Sequence, residues 1–288
     1  MDEIFITQLF LSFLIGGLFV TACTVIAQRF GSKIGGLIGG FPSTVIVSLF
    51  FIGLVESPVA AANATSIIPL IVGYNGLFLA TYSYFARKSF LAAIGTALGQ
   101  WFLLFITTLK LGVQSFALSL ILYGLIFLFL VFWVKRKIIA ASAPNKSIRF
   151  TLNQIGIRFI FSGAIIATAV YLSKISGTMI GGAISVFPIV FISSLTIGYV
   201  SEGREFSIAL SNNMMLSSMI NIVAYAVCVR YFFPCWGVAT GTCLAIFVSI
   251  CTACAVHFIV KKNMLLPKRF IQNDPCRSQT ASDCGGGK

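Results

Sequence analysis

Nine times along this chain an apolar run comes close to the length needed to cross a lipid bilayer, and that recurrence limits the fold more than any other feature. A hydrocarbon core about 30 Å thick requires roughly 20 helical residues. By that measure the spans are residues 5–27, 33–54, 62–85, 90–108, 116–133, 157–172, 179–200, 207–231 and 237–260. No water is present at that depth to satisfy backbone N–H and C=O groups, so each run must be helical. Hydrophobic residues make up 58% of the chain and charged residues 9%. No soluble domain is left over, because the polar stretches near 140–156 and after Lys261 are too short and too poor in apolar side chains to bury a core. They read as a loop and a disordered cytoplasmic tail. Met1-Asp2-Glu3 is acidic where a secretory signal is basic, so the first run reads as a retained span.

Sliding the chain by 146 positions superposes its two halves. Ten of the 23 positions from Ile34 to Glu56 are then identical: Ile34, Gly35, Gly36, Ile38, Phe41, Pro42, Ile46, Ser48, Leu49 and Glu56 meet Ile180, Gly181, Gly182, Ile184, Phe187, Pro188, Ile192, Ser194, Leu195 and Glu202. Phe13, Gly17, Gly31 and Asn75 likewise meet Phe159, Gly163, Gly177 and Asn221. Composition bias alone does not align a Phe-Pro pair, paired glycines and a closing Glu without a gap, so the chain contains an internal duplication. The offset pairs the first four spans with the last four and leaves the fifth as a connector. An odd number of crossings separates the copies, which turns the second upside down. The expectation is an all-α polytopic membrane protein with an inverted four-plus-one-plus-four plan: residues 1–110 the first copy, 111–150 the connector span and loop, 151–262 the second copy and 263–288 the tail. Inverted repeats of this kind are a recurring plan of secondary carriers, with the binding site near the midplane between the copies.

The cations set the orientation. Seventeen of the twenty Lys and Arg, Arg158 among them, fall in connections after odd-numbered spans, and only Lys110, Lys174 and Arg230 fall on the other face. The positive-inside rule then places the N-terminus outside and the C-terminus in the cytoplasm. Trp133 and Trp236 fall at span ends, where interfacial aromatics belong. The same asymmetry accounts for the net charge of +13 without a nucleic-acid partner, since a nucleic-acid binder needs a basic face in water.

Pro42 and Pro188 each remove a backbone donor and clash with the carbonyl four residues back, so they should break their spans and free carbonyls near Ile38 and Ile184. Freed backbone at membrane depth is tolerated only inside protein or beside a wet cavity. Two readings stay open: a packing kink, or a pair of broken spans that cross and line a substrate path through Gly39, Gly40, Phe41, Pro42, Ser185, Phe187 and Pro188. Gly31, Gly35 and Gly39, with Gly177, Gly181 and Ser185, recur every fourth residue and offer a smooth face for close helix approach. Asn75 and Asn221 lie mid-span, where an unpaired amide is costly, so each should bond a neighbouring helix or contact the substrate. Glu56 and Glu202 close equivalent spans on opposite faces and are candidate gates or solvated helix ends.

None of the seven acids, Asp2, Glu3, Glu56, Glu202, Glu205, Asp274 and Asp283, lies deep in a span. Proton-coupled carriers keep a carboxylate or histidine there, and the single histidine, His257, is near the end of the last run. Cys251, Cys254 and His257 splay around a helix and supply no fourth ligand, so no metal is expected. The eight cysteines lie mostly in apolar runs as small hydrophobes. No nucleophile-base set, P-loop or dinucleotide fingerprint is present, which argues against an enzyme and implies no cofactor.

At Gly36, Leu37, Ile38, Phe41 and Pro42, and again at Gly182, Ile184, Phe187 and Pro188, the chain resembles the small GlpM-type bacterial inner-membrane proteins, in which a Gly-Leu-Ile-like stretch runs into Phe-Pro. The resemblance implies two fused four-span units in a bacterial inner membrane and no defined substrate. The plan is more distantly similar to that of the drug/metabolite transporter superfamily. The expected function is a secondary transporter or facilitator of a small neutral, amphipathic or lipid-like solute, with the bilayer as its surroundings and a homo-oligomer compatible with the plan. The alternative is a non-transporting scaffold or accessory subunit of an envelope-polymer machine.

Overall fold

The computed structural model describes residues 3–28, 40–137 and 151–261. Ten helices follow one another: α1 (Glu3–Gln28), α2 (Ser43–Val55), α3 (Pro58–Ala64), α4 (Ile68–Phe85), α5 (Phe90–Lys110), α6 (Phe116–Lys137), α7 (Leu152–Ser176), α8 (Thr178–Ser185), α9 (Ile189–Glu202) and α10 (Arg204–Lys261). No strand occurs among the described residues. Five helical segments are long and apolar enough to cross a membrane, with α8 and α9 counted together, and there are six when α3 and α4 are taken as one span bent by 42°. The protein is therefore a membrane-embedded helical protein. Residues 1–2, 29–39, 138–150 and 262–288 lie outside the described set, and with them Gly31, Gly35, Ile38, Gly39, the loop of the expected connector and the tail.

The ends of these helices follow from local chemistry. Ser57 and Ser89 cap α3 and α5 by accepting from the N–H of Ala60 and Ala92. Thr151 and Gln154 form a reciprocal capping box at the start of α7. That box begins the helix well before the apolar run at Ile157, which corrects the expected start of the span and places Arg158, counted above with the cytoplasmic connection, inside the helix. The span expected over 62–85 is likewise two helices, interrupted where Thr65 and Ser66 bond back to Ala62 and Asn63.

At its 58 residues α10 would be about 87 Å long if straight, nearly three bilayer thicknesses. It is not straight. Gly237 sits at φ 75°, ψ 176°, a left-handed backbone that only glycine adopts freely. Beyond it the chain doubles back: Thr252 Oγ1 donates to Asn221 Oδ1 at 3.0 Å, and Gly241 lies against Phe233. Residues 204–236 and 238–261 are thus two antiparallel legs.

In lipid the association of helices depends on close packing and interhelical hydrogen bonds, because the tails are as apolar as leucine. The helix α5 illustrates the result: Ala93, Ala97, Trp101, Phe105 and Thr108, three or four residues apart, face the bundle, while Leu91 and Leu103 face outward. The centre of the bundle is α4 against the first leg of α10. Tyr82 meets Ser207, Ser83 bonds Asn212 and Ser211 bonds the Leu79 carbonyl. Gly76 lies against Met219, and Arg230 reaches the Ala62 carbonyl and Ser66. As one number rises the other falls, so the two run antiparallel. So do α1 and α7. Lys174 lies over the Phe5 ring, Phe13 stacks edge-on with Phe159, and Gly17 and Gly163 each admit the phenylalanine of the other helix.

Candidate functional site

The two Phe-Pro segments meet. The helix α8 stops at Ser185, Pro188 stands as the N-cap of α9, and Pro42 stands in the same place before α2. A cleft between them is lined by Phe41, Pro42, Ser43, Thr44, Val45, Asn75, Val186, Phe187, Pro188, Val190, Phe191 and Ile222. Its cavity volume of about 20 Å³ has room for about one water. As it stands, the cleft is closed to any larger solute.

Asn75, only 1% exposed, anchors the second break. Its Nδ2 donates to the Val186 carbonyl at 2.8 Å, and its Oδ1 accepts from Trp101 Nε1 at 2.8 Å. The carbonyl taken up by a side chain is therefore that of Val186. This corrects the expectation for Ile184, whose carbonyl accepts instead from the Phe187 N–H in a tight last turn. Trp101 packs edge-on against Phe187 at 5.2 Å and stacks on Phe105 at 5.2 Å. The indole thus joins the amide and the break into one rigid unit.

The first break is held differently. Gly40 is buried against the first leg of α10, where a Cβ would come within 2.6 Å of the Ser218 backbone N and 2.7 Å of Ser217. Asn221 sits one turn further on. It donates to Ser217 Oγ and accepts from Thr252 Oγ1, and Ile222 takes the neighbouring place on the cleft wall. Of the expected path residues, Phe41, Pro42, Asn75, Phe187 and Pro188 line the cleft. Gly40 lies beside Phe41, Ser185 is buried with its hydroxyl on the Gly182 carbonyl, Asn221 bonds within α10, and Gly39 lies outside the described residues.

Gly181 and Gly182 are sites of close backbone approach. A Cβ at Gly182 would stand 2.0 Å from the Ala64 carbonyl oxygen, and one at Gly181 2.6 Å from that of Ala169. Of the candidate gates, Glu56 is exposed and accepts from Ser173 Oγ on α7, and Glu202 closes α9 partly buried. Among the described residues no group of three His, Cys, Asp or Glu could hold a metal ion. His257 has no described side chain.

Two residues of this region have no role in the sequence reading beyond composition and charge counts. Trp101 is the single tryptophan inside a span, and an indole N–H at membrane depth needs an acceptor; that signal was available. Arg158 is 4% exposed. Its Nη2 reaches the Val190 carbonyl at 3.5 Å, Nε and Nη1 have no hydrogen-bond partner among the described residues, and Cys23 of α1 is its electrostatic neighbour. The place of Arg158 at the first residues of the expected span 157–172 led it to be counted with the cytoplasmic cations.

A family model described as a protein of unknown function (DUF3147) matches residues 9–114. No curated protein and no solved structure matches the chain. The chain is thus similar, from within α1 to just past the end of α5, to a family whose description assigns no activity.

Proposed function

We propose that this chain is a secondary carrier or facilitator of a small neutral, amphipathic or lipid-like solute, built from two inverted four-span halves in a bacterial inner membrane. The observation that carries the reading is the meeting of the two Phe-Pro breaks, 146 residues apart in sequence, in one cleft at the middle of the bundle. Broken helices facing each other at mid-depth are how carriers expose backbone polarity to a solute.

The plan of nine crossings draws support from which ends touch. Phe5 lies by Lys174, Glu56 by Ser173, and Arg230 by Ala62, Ser66 and Phe116; every one of these belongs to a connection or helix end assigned to the outer face. Arg204 bonds the Arg87 carbonyl and Tyr199 stacks on Phe90, all at the inner face. A wrong parity would have set outer ends against inner ones. The antiparallel pairings of α1 with α7 and of α4 with the first leg of α10 join elements equivalent at the 146-residue offset, as an inverted pair requires. The family match also stops at residue 114, close to the end of the first copy.

The test is flux. Purified chain in vesicles loaded with a panel of short-chain amphiphiles should accelerate release of at least one of them, and Pro42→Ala and Pro188→Ala should slow that release while still inserting. No release by the wild type would favour the scaffold reading. Equal release by wild type and both variants would overturn the role given to the breaks.

A further inference from the structure

The two breaks share one backbone form and differ in what holds them. The Ser43 N–H donates to the Phe41 carbonyl at 2.8 Å and the Ile189 N–H to the Phe187 carbonyl at 2.8 Å, while Ile46 and Ile192 reach the carbonyls of Pro42 and Pro188 at 2.8 and 2.9 Å. The prolines themselves sit at φ −75°, ψ 42° and φ −74°, ψ 28°. The match at the 146-residue offset thus extends to local geometry. The amides do not match. Asn75 Nδ2 crosses to the Val186 carbonyl, whereas Asn221 Nδ2 donates to Ser217 Oγ at 3.1 Å, four residues back on its own helix.

At that offset the counterpart of Val186 is Gly40, and Gly40 already lies beside Asn221. A Cβ on it would stand 2.7 Å from Ser217 Oγ, the atom that now accepts from the Asn221 amide. Moving the amide from the Ser217 hydroxyl to the Gly40 carbonyl therefore takes a side-chain rotation and a small shift of the first break, with Oδ1 still on Thr252. Asn75 has no such resting place. The counterpart of Ser217 is Ile71, so release from Val186 leaves the Asn75 Nδ2 without an acceptor one turn back, which is costly at membrane depth. The arrangement with Asn75 engaged is for that reason the favoured one.

We propose that Asn75 and Asn221 are alternate latches of a two-state switch. In the state described above, Asn75 holds the Val186 carbonyl and Asn221 rests on Ser217; in the other, Asn221 holds the Gly40 carbonyl and Asn75 lets Val186 go. The half-helices beyond the breaks are unequally enclosed in the first state, as a switch between inverted halves requires. Ten of the 13 residues of α2 are buried, against five of the 14 of α9. On the inverted plan α2 leads from the cleft to the outer face and α9 to the inner one. Engagement of Asn75 accordingly goes with a firm outer wall and a looser inner one, and the exchange reverses the two. That the exchange serves to open the cleft to each face in turn rests on the carrier reading; the exchange itself does not.

Pulsed electron paramagnetic resonance on the full chain in lipid nanodiscs, with the native cysteines replaced, tests the switch. Spin labels at Leu54 of α2 and Leu111 just past α5 report the outer side, and labels at Val200 of α9 and Leu128 of α6 the inner side; all four positions are exposed. The wild type should give one dominant distance for each pair. Asn75→Leu should raise a second distance in both pairs about fivefold relative to the first, the worth of one interior hydrogen bond. Asn221→Leu should abolish that second distance. Ser217→Ala, which removes the competing acceptor and leaves the amide, should raise it several-fold, and combined with Asn75→Leu by about the product of the two. The opposite signs of Ser217→Ala and Asn221→Leu are decisive, because both cut the same bond and a merely structural bond would move them together. Shifts of the same sign, or a single unchanged distance in the Asn75→Leu, Ser217→Ala double variant, would overturn the proposal. Should Asn221→Leu not fold, the other two variants decide: a second distance raised in both pairs by each supports the switch, and no change in either overturns it. Exchange with no flux of any amphiphile would sink the carrier and keep the switch. Flux with no second distance in any variant would do the reverse.

Discussion

Replacing Asn75 by Leu tests whether the second break is held open by a side chain or only by its proline. Leucine has the same number of side-chain heavy atoms, so the main perturbation is the loss of two hydrogen bonds, to the Val186 carbonyl and from Trp101 Nε1, both 2.8 Å long, with the bulk of its methyl groups at a buried site adding a smaller packing cost of the same sign. A buried donor or acceptor left unpaired costs about 1–3 kcal/mol in general, but side-chain hydrogen bonds inside membrane proteins average about 0.6 kcal/mol, because alternative partners are found. Val186 sits in a break where no further N–H is in line, and the Trp101 indole is clamped between Phe105 and Phe187. Neither group can turn to a new partner, so the expected loss lies toward the upper end, about 2 kcal/mol. Trp101→Phe should cost about 1 kcal/mol from its hydrogen bond, plus a packing loss that Asn75 does not share. The double variant should then lose about 1 kcal/mol less than the sum of the two, since the Trp101–Asn75 bond is counted in both. Unfolding in a mixed-detergent titration would measure this cycle. Strict additivity, or an Asn75→Leu variant as stable as wild type, would refute the claim that the amide carries the break.

The glycines separate packing from conformational freedom: Gly182→Ala should destabilise by about 2 kcal/mol or more because backbone meets backbone, whereas Gly99→Ala, with open space around it, should be neutral or stabilising by up to about 1 kcal/mol. Thermal unfolding of the two variants side by side gives the opposite signs or contradicts the packing account. Arg230→Ala removes bonds to Ala62 and Ser66 and a cation over Phe116; a loss of about 1–2 kcal/mol is expected, with faster protease cleavage at the α3–α4 junction. Gly237→Ala should disfavour the reversal within α10, lowering the yield of folded protein in detergent, because alanine at φ 75° is strained.

Much of this architecture could be read from the chain because the bilayer imposes one length and one secondary structure. Run length and apolarity point to helices that a membrane can hold, and the Phe-Pro pairs point to the places where two of them break. Helix ends were less legible. The capping box of Thr151 and Gln154 is a polar signal outside the apolar run, and missing it left Arg158 at the very start of the expected span, counted with the connection's cations. The α3–α4 bend does carry a local signal that the sequence reading passed over: Pro69, in the first turn of α4, cannot donate to the Thr65 carbonyl four residues back and clashes with it, and Thr65 and Ser66 turn back on the preceding carbonyls. Equivalence by sequence also did not determine contact: Asn75 and Asn221 match at the 146-residue offset, yet one crosses to a break and the other bonds inside α10. Which partner an amide finds depends on a tertiary approach of a few ångströms, and nothing local in the sequence encodes it.

The central claim is that the two halves face opposite ways, and the pair Glu56 and Glu202 tests it most directly, because they are the same position of the repeat. Single cysteines placed at each, in a background with the native cysteines replaced, can be labelled in intact cells by a membrane-impermeant maleimide. The inverted plan predicts that Glu56→Cys reacts from outside and Glu202→Cys only after permeabilisation. Labelling of both from the same side would contradict it.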